Sequence, residues 1–221
     1  MGGFRDQSLN SDFKCGLFNI ILLAIRRSCE LMVEESRKNG IVIENHEEKI
    51  RTHLLENYLD KDEIRSKIGL ANIPLRFSPE VPENYNSSTN TYIGRTDIKI
   101  TSSNWLINKR DYYIVECKRI DGSSTLNENY VKDGICRFVG TSPKYSSFHK
   151  KNIMLGFVVK KIDYAKTIAT ISANHKSFLA SNICRDITVV ENEVAYLLCE
   201  SEYVDSLVLS HLFYDFSSVV A

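Results

Sequence analysis

Two acidic residues and a lysine stand at spacings that could bring them into one site. Asp97 lies in the run GRTDI (94–98), and Glu116 and Lys118 lie in the run YIVECK (113–118). Successive side chains of a strand alternate between faces, so Glu116 and Lys118 project together while Cys117 points into the opposite layer. If the preceding strand is the hairpin partner, Asp97 lies beside Glu116 on that same face.

Such a cluster is suited to metal-dependent chemistry. Two neighbouring carboxylates repel each other unless a cation lies between them, and hard oxygen ligands with room for water favour Mg²⁺ or Mn²⁺. An ammonium two residues further on can orient or help to deprotonate a water, and can stabilise charge on a pentavalent phosphate.

The bare pattern Asp/Glu-x-Lys occurs four times in the chain, so its context decides its value. Two copies fall in predicted helices, where positions two apart differ by about 200° around the axis. The copy Asp97–Lys99 would need a second acid on the preceding strand. The upstream acids Glu80 and Glu83 lie instead in a proline-rich segment that predicts a loop. Only Glu116–Lys118 ends an apolar strand and follows a strand that carries an acid.

Hydrophobic patterning predicts the elements that must position these residues. Gly40 ends a first helix of about Asp12–Lys38. Asn45 and Glu48 have the spacing of a capping box and predict the start of a second helix. The chain then predicts a loop at Ser78–Asn90, strands at Thr91–Thr101 and Asp111–Ile120, a helix at Thr125–Val139, a strand at Ile153–Lys160, a helix near Tyr164–Leu179 and strands at Val194–Cys199 and Leu207–Phe216. This order predicts an α/β protein with a central mixed sheet flanked by helices.

The order of elements from about Asn45 to Lys160 resembles the PD-(D/E)xK nuclease superfamily, which has a restriction-endonuclease-like fold. In that family a helix with a glutamate precedes the strand that carries the first acid, and the (D/E)xK strand, a helix and a further strand follow. The resemblance implies a core at about 45–160 in a single domain spanning 1–221, with an N-terminal helix and a C-terminal strand-rich extension. One departure is Thr96, which stands where the family pattern has proline.

The same resemblance implies a role for each matched residue. Asp97, Glu116 and the main-chain carbonyl of Cys117 would bind Mg²⁺ or Mn²⁺, and Lys118 would be the catalytic lysine. The helix glutamate would be Glu47, whose position falls near the middle of the apolar stripe of its helix. Glu48 is the fallback, although it also fits as the capping partner of Asn45.

The function implied is hydrolysis of DNA phosphodiester bonds, by analogy in a bacterial or phage-defence system. Because the chain has no evident separate sequence-reading or motor domain, we expect a protein partner or a homo-oligomer. One rival is a catalytically silent protein that keeps the fold for binding DNA or protein. A second rival is an interaction domain of another α/β fold, in which Asp97 and Lys118 would lie on unrelated surfaces.

The charge of the chain is zero overall but uneven along its length. The 28 Lys and Arg residues balance 28 Asp and Glu residues, which excludes a uniformly basic nucleic-acid coat. Residues 132–161 carry seven bases and one acid, whereas residues 30–63 carry ten acids and five bases. Tyr130, Lys132 and Arg137 are candidates for phosphate contacts or for supporting the site, although Tyr130 fits the core equally well.

Composition and cysteine use indicate the compartment. Hydrophobic residues make up 43% of the chain and charged residues 25%, which is ordinary for a globular protein. The six cysteines form no C-x-x-C pair and no close Cys/His cluster, so we expect reduced thiols in the cytoplasm. The longest apolar run, Gly16 to Ile25, is too short to span a bilayer of about 30 Å, and we expect no membrane segment.

Overall fold

The fold is built on one mixed β-sheet that helices cover on both faces. The structure is a computed structural model that describes the backbone of residues 7–221 and the side chains from residue 16 onward. The large sheet has seven strands in the order β1-β4-β5-β6-β9-β8-β7. Its strands are β1 (Leu75–Pro79), β4 (Ile98–Ser102), β5 (Tyr112–Ile120), β6 (Lys151–Val158), β7 (Ile183–Asn192), β8 (Tyr196–Tyr203) and β9 (Leu207–Asp215).

The centre of this sheet is parallel and both sides of it are antiparallel. Strands β5, β6 and β9 run parallel to one another, while β4 pairs antiparallel with β5 and β8 pairs antiparallel with β9. Parallel strands are buried on both faces, and β5 accordingly has only Arg119 partly exposed among its nine residues.

Within residues 7–221, four α-helices form the two outer layers. They are α1 (Gln7–Asn39), α2 (Glu47–Leu54, continued by a π-helical turn at Leu55–Leu59), α3 (Ser124–Lys132) and α4 (Tyr164–Leu179). Helices α1 and α2 pack on the face that carries Tyr113, Val115 and Cys117. Helices α3 and α4 pack on the face that carries Tyr112 and Ile114. The alternation of β5 between two apolar layers confirms the α/β class with a mixed sheet flanked by helices.

The segment before the site differs from the prediction. The predicted loop at Ser78–Asn90 contains the end of β1 and all of β2 (Pro82–Asn86). The predicted strand Thr91–Thr101 is two strands, β3 (Thr91–Arg95) and β4, which bend apart at Thr96 and Asp97. Strands β2 and β3 form a separate two-stranded sheet, called here the β2–β3 hairpin.

Other elements also differ from the prediction. The helix predicted at Thr125–Val139 ends at Lys132, and a single 3₁₀ turn follows at Ile135–Arg137. Strand β7 was not predicted at all. The strand predicted at Val194–Cys199 begins later and extends to Tyr203.

The predicted capping box at Asn45 is wrong. Helix α2 begins at Glu47 with His46 at the N-cap, and none of the side chains that the structure describes caps it. Asn45 is engaged elsewhere, because its main-chain oxygen and its side-chain oxygen both accept hydrogen bonds from Arg119, at 2.7 and 3.0 Å.

Among the helices that the structure describes, none is both long and apolar enough to cross a bilayer.

Candidate active site

The pairing of β4 with β5 brings Asp97 next to Glu116. Ile98 is the register partner of Val115 in this antiparallel pair. Asp97 precedes Ile98 and Glu116 follows Val115, so Asp97 lies across from Glu116. The carboxylate of Asp97 is fixed there, since its Oδ2 accepts a hydrogen bond from the main-chain N–H of Cys117 at 2.7 Å. Asp97 and Glu116 are both buried.

Lys118 lies at the centre of a group of oxygen atoms. Its Nζ is 2.8 Å from Oε1 of Glu116, 3.0 Å from Oε1 of Glu47 and 2.7 Å from the main-chain oxygen of Cys117. Burial alone would lower the pKa of this ammonium, but the negative charges of Glu116, Glu47 and Asp97 outweigh burial and raise it. Lys118 is therefore held as a cation.

Helix α2 supplies the glutamate of this group. Glu47 is in the first turn of the helix, and its Oε2 accepts a hydrogen bond from the main-chain N–H of Arg119 at 3.2 Å. A carboxylate in the first turn also interacts favourably with the positive end of the helix dipole. Its neighbour Glu48 is exposed, so Glu47 is the helix glutamate that reaches Lys118.

Glu116 is completely buried and is surrounded by donors. Its Oε2 accepts a hydrogen bond from the Tyr145 hydroxyl at 2.6 Å. Its Oε1 lies 2.8 Å from Lys118 Nζ and 3.1 Å from Arg137 Nε, but neither contact has hydrogen-bond geometry. Burial, and after it the charge of Asp97, raises the pKa of Glu116 to about 7, while Lys118 and Arg137 act in the opposite direction.

A chain of ion pairs connects Asp97 to the β2–β3 hairpin. Arg51 of α2 contacts Oδ1 of Asp97 at 2.6 Å and Oε1 of Glu80 at 2.6 Å. Glu80 in turn contacts Arg95 at 3.0 Å. Sequence reasoning missed Arg51, although it stands four residues after Glu47 and so shares its helix face. Tyr145 was missed too, because no local pattern relates it to a strand 29 residues earlier.

The three residues predicted to contact phosphate lie in three different environments. Arg137 joins the site through Glu116. Lys132 is exposed at the last residue of α3 and is not part of the cluster. Tyr130 is fully buried, and its hydroxyl is hydrogen-bonded to Nδ1 of His211 at 3.0 Å. The prediction that Tyr130 contacts phosphate is therefore wrong, and Tyr130 belongs to the core.

The oxygen atoms around Lys118 suit a hard cation. Carboxylates and main-chain carbonyls are the ligands that Mg²⁺ and Mn²⁺ take in proteins, and Asp97, Glu116 and Cys117 supply two of the former and one of the latter. Oε1 of Glu116 already lies 2.8 Å from Lys118 Nζ and 3.1 Å from Arg137 Nε, so a metal ion bound by this oxygen would share it with these two cations. Among the described residues, no group of three or more His, Cys, Asp or Glu residues has metal-binding geometry.

No protein family, no curated protein and no solved structure matches the chain.

Proposed function

We propose that this protein is a metal-dependent nuclease that hydrolyses DNA phosphodiester bonds, with a site of the PD-(D/E)xK type. The observation that carries the proposal is the position of Lys118, whose Nζ contacts oxygens of Glu47, Glu116 and Cys117 while Asp97 is bonded to the adjacent peptide. Two carboxylates, a carbonyl and a lysine from neighbouring strands thus meet at one point.

Each residue has a distinct part in the proposed reaction. Asp97, Glu116 and the Cys117 carbonyl would hold Mg²⁺ or Mn²⁺, which when bound supplies a Lewis acid for the phosphate and a water of lowered pKa. Lys118 stays protonated because three carboxylates face it, so it would donate hydrogen bonds to the attacking water and to the phosphate oxygens. It would therefore stabilise charge in the transition state instead of acting as the base.

Glu47 acts on the lysine in this scheme. Its Oε1 accepts from Lys118 Nζ and its Oε2 accepts from the Arg119 N–H, so both carboxylate oxygens are used to orient the β5 end. We therefore assign Glu47 a positioning role, because its contacts hold the ammonium at a fixed place beside Glu116.

The proposal also includes the substrate, the cellular location and the partner of the protein. A DNA substrate suits the excess of basic residues in 132–161. A cytoplasmic location suits the buried free thiols Cys29, Cys117 and Cys199. A bacterial or phage-defence role with a protein partner, or as a homo-oligomer, follows only by analogy with the superfamily.

One observation favours the silent DNA- or protein-binding alternative. Arg51 contacts Oδ1 of Asp97 at 2.6 Å while Cys117 N–H holds Oδ2, so both oxygens of this carboxylate already have partners. A catalytic site requires that Arg51 release one of them to a metal ion. A protein that only binds would keep this ion pair permanently.

The experiment that tests the proposal is cleavage of supercoiled plasmid by the purified protein with Mg²⁺ or Mn²⁺ and, separately, with EDTA. We expect nicked or linear product only with metal, and none from Asp97→Asn. DNA binding without any cleavage under both metals would contradict the nuclease and support the silent alternative.

A further inference from the structure

The β2–β3 hairpin is built directly onto the candidate site. Gly94 packs so closely on the segment 144–145 that a Cβ at this position would lie 2.8 Å from the main-chain oxygen of Lys144. Asn84 donates a hydrogen bond to the same oxygen at 2.8 Å. The Tyr145 hydroxyl lies 2.8 Å from the main-chain oxygen of Arg95 and 2.6 Å from Oε2 of Glu116, so these two acceptors share its single proton. The hairpin is thus fixed relative to the site.

A basic cleft of about 310 Å³ lies between the hairpin and the segment that follows α3. Three of its lining residues are the cations Arg95, Arg137 and Lys144, and none of the acidic residues whose side chains the structure describes lines it. Lys144 is exposed, and none of the ion pairs among the described side chains includes it. Lys144 is therefore the cation of this cleft best able to bind a phosphate, because Arg95 and Arg137 already contact Glu80 and Glu116.

The cleft adjoins the residues proposed for catalysis. Arg137 lines the cleft and also lies 3.1 Å from Oε1 of Glu116. Arg95 lines it from the other side and is linked to Asp97 through Glu80 and Arg51. A polyanion whose reacting phosphate lay at Glu116 and Lys118 would therefore have its neighbouring backbone within reach of these three cations.

The outer part of the hairpin presents an aromatic surface beside the cleft. Tyr92 and Ile93 line the cleft and are 57% and 51% exposed. Tyr92 also packs edge-on against its register partner Tyr85, with ring centroids 5.3 Å apart. Cations with adjacent exposed aromatic rings are typical of nucleic-acid surfaces, where rings contact sugars and bases while cations contact phosphates.

We propose that this cleft is a phosphate subsite, in which Arg95, Arg137 and Lys144 bind a backbone phosphate of DNA next to the phosphodiester that is cleaved. The inference rests on the proposed function for its choice of DNA. It assigns to the β2–β3 hairpin the task of holding the substrate strand against the site.

The test is the salt dependence of binding to a short fluorescein-labelled DNA duplex, measured by anisotropy with EDTA and with Ca²⁺. Each phosphate contact contributes about 0.9 to the slope of log K against log salt concentration. We expect Lys144→Gln to lower the slope by about that amount, and Lys144→Arg to restore it. Lys61→Gln is the control, since Lys61 is exposed and lies beyond the far end of the α2 segment.

The outcomes separate the subsite from the nuclease. A slope changed by Lys144→Gln but not by Lys61→Gln supports the subsite, even if the protein cleaves nothing. An equal change in both variants overturns it, as does failure of the wild-type protein to bind in both conditions. If the wild type cleaves DNA with Mg²⁺ and Lys144→Gln has an unchanged slope, the nuclease stands and the subsite does not.

Discussion

At the scale of single residues, the arrangement around Lys118 resembles a cation site that already holds a cation. The ammonium contacts one oxygen each from Glu47, Glu116 and Cys117, at 2.7 to 3.0 Å. Glu116 has no exposed surface, and an unpaired buried carboxylate is costly. A divalent ion bound by Glu116 and Asp97 would share with Lys118 the neutralisation of these acids.

This view predicts that metal binding stabilises the protein through Glu116. A ligand at a hundred times its dissociation constant adds about 2.7 kcal/mol to the free energy of unfolding. For a chain of this size that corresponds to roughly 5 to 10 °C in melting temperature. We expect Mn²⁺ to raise the melting temperature of the wild type and to leave that of Glu116→Gln unchanged, as measured by differential scanning calorimetry.

Glu48→Gln is the matched control for that measurement. It makes the same change of charge at an exposed residue next to Glu47, and it should retain the full shift. A Mn²⁺ shift that persists in Glu116→Gln would place the metal elsewhere on the molecule.

At the scale of elements, the β2–β3 hairpin depends on close contact with residues 144–145. The contact is made where Gly94 lies against the main chain of Lys144 and the ring of Tyr145, with an added Cβ at 2.8 and 3.2 Å respectively. The main-chain oxygen cannot move without moving its segment, so even one methyl group must displace the hairpin.

We therefore expect Gly94→Ala to lower the free energy of unfolding by about 1 to 3 kcal/mol, the usual cost of overpacking. Gly16→Ala offers the opposite case, since Gly16 lies in α1 and no described atom outside its own helix backbone lies within 4 Å of an added Cβ. There the helix propensity of alanine should raise stability by up to about 1 kcal/mol. Chemical denaturation of both variants checks the pair, and an unchanged Gly94→Ala would contradict the close contact.

The elements that the sequence predicts well are those whose burial follows a simple pattern. Strand β6 is buried along nearly its whole length, and the continuous apolar run at Ile153–Lys160 therefore predicts it. Strand β7 lies at the sheet edge with only Ile187 buried, and register shifts interrupt its pairing with β8, so its burial does not follow a simple alternation. The β2–β3 hairpin likewise buries little besides Glu83, which pairs with Lys99 at 3.2 Å.

The same distinction applies to the residues of the candidate site, since some of their relations are local in the sequence and others depend on tertiary packing. Glu116 and Lys118 share a face by strand alternation, and Asp97 reaches them by pairing of adjacent strands, so both relations can be read locally. The contacts of Arg51 and Tyr145 depend on how α2 and the segment at 145 pack on the sheet. Asn45 shows the converse, since a tertiary contact with Arg119 overrides a local capping pattern.

At the scale of the whole molecule, the acidic and basic segments of the neutral chain meet at the candidate site. Glu47 comes from the acid-rich residues 30–63, and Arg137 and Lys144 come from the base-rich residues 132–161. Glu47 contacts Lys118 and Arg137 contacts Glu116. The net charge of zero therefore conceals local fields of opposite sign around one cluster.

A second buried polar chain crosses the α3–α4 layer away from the site. His211 Nδ1 contacts the Tyr130 hydroxyl at 3.0 Å, and its Nε2 contacts Ser201 Oγ at 2.7 Å. From Ser201 the chain of contacts continues to the Tyr203 hydroxyl, then to His175 and finally to Asp186. Burial lowers the pKa of His211 to about 3, with His175 adding to the effect and Asp186 opposing it.

This network predicts a loss of stability in mild acid. The pKa of His211 is lower in the folded protein than the unfolded value of about 6.5, so the unfolded chain takes up the proton first. The contribution is complete above pH 6.5 and falls by about 1.4 kcal/mol per pH unit below it. The pKa of His175 is lowered as well, first by burial, and adds in the same direction.

Urea denaturation at pH 6.5 and pH 5 measures this effect. The loss of stability between the two pH values should be about 2 kcal/mol smaller in His211→Gln than in the wild type, because glutamine can keep both hydrogen bonds without titrating. His46→Gln, at an exposed position, is the control. A loss as large in His211→Gln as in the wild type would contradict this account.

The central claim is most directly tested by the rate of metal-dependent DNA cleavage in two lysine variants. Lys118→Met and Lys99→Met each remove a largely buried ammonium two residues after an acid, but Lys99 contacts Glu83 and the Tyr112 ring. We predict that Lys118→Met lowers the rate by at least about 100-fold, as loss of one transition-state donor does, whereas Lys99→Met stays within a few-fold of wild type. Equal rates in Lys118→Met and the wild type, with both folded, would contradict the assignment of this cluster as a nuclease site.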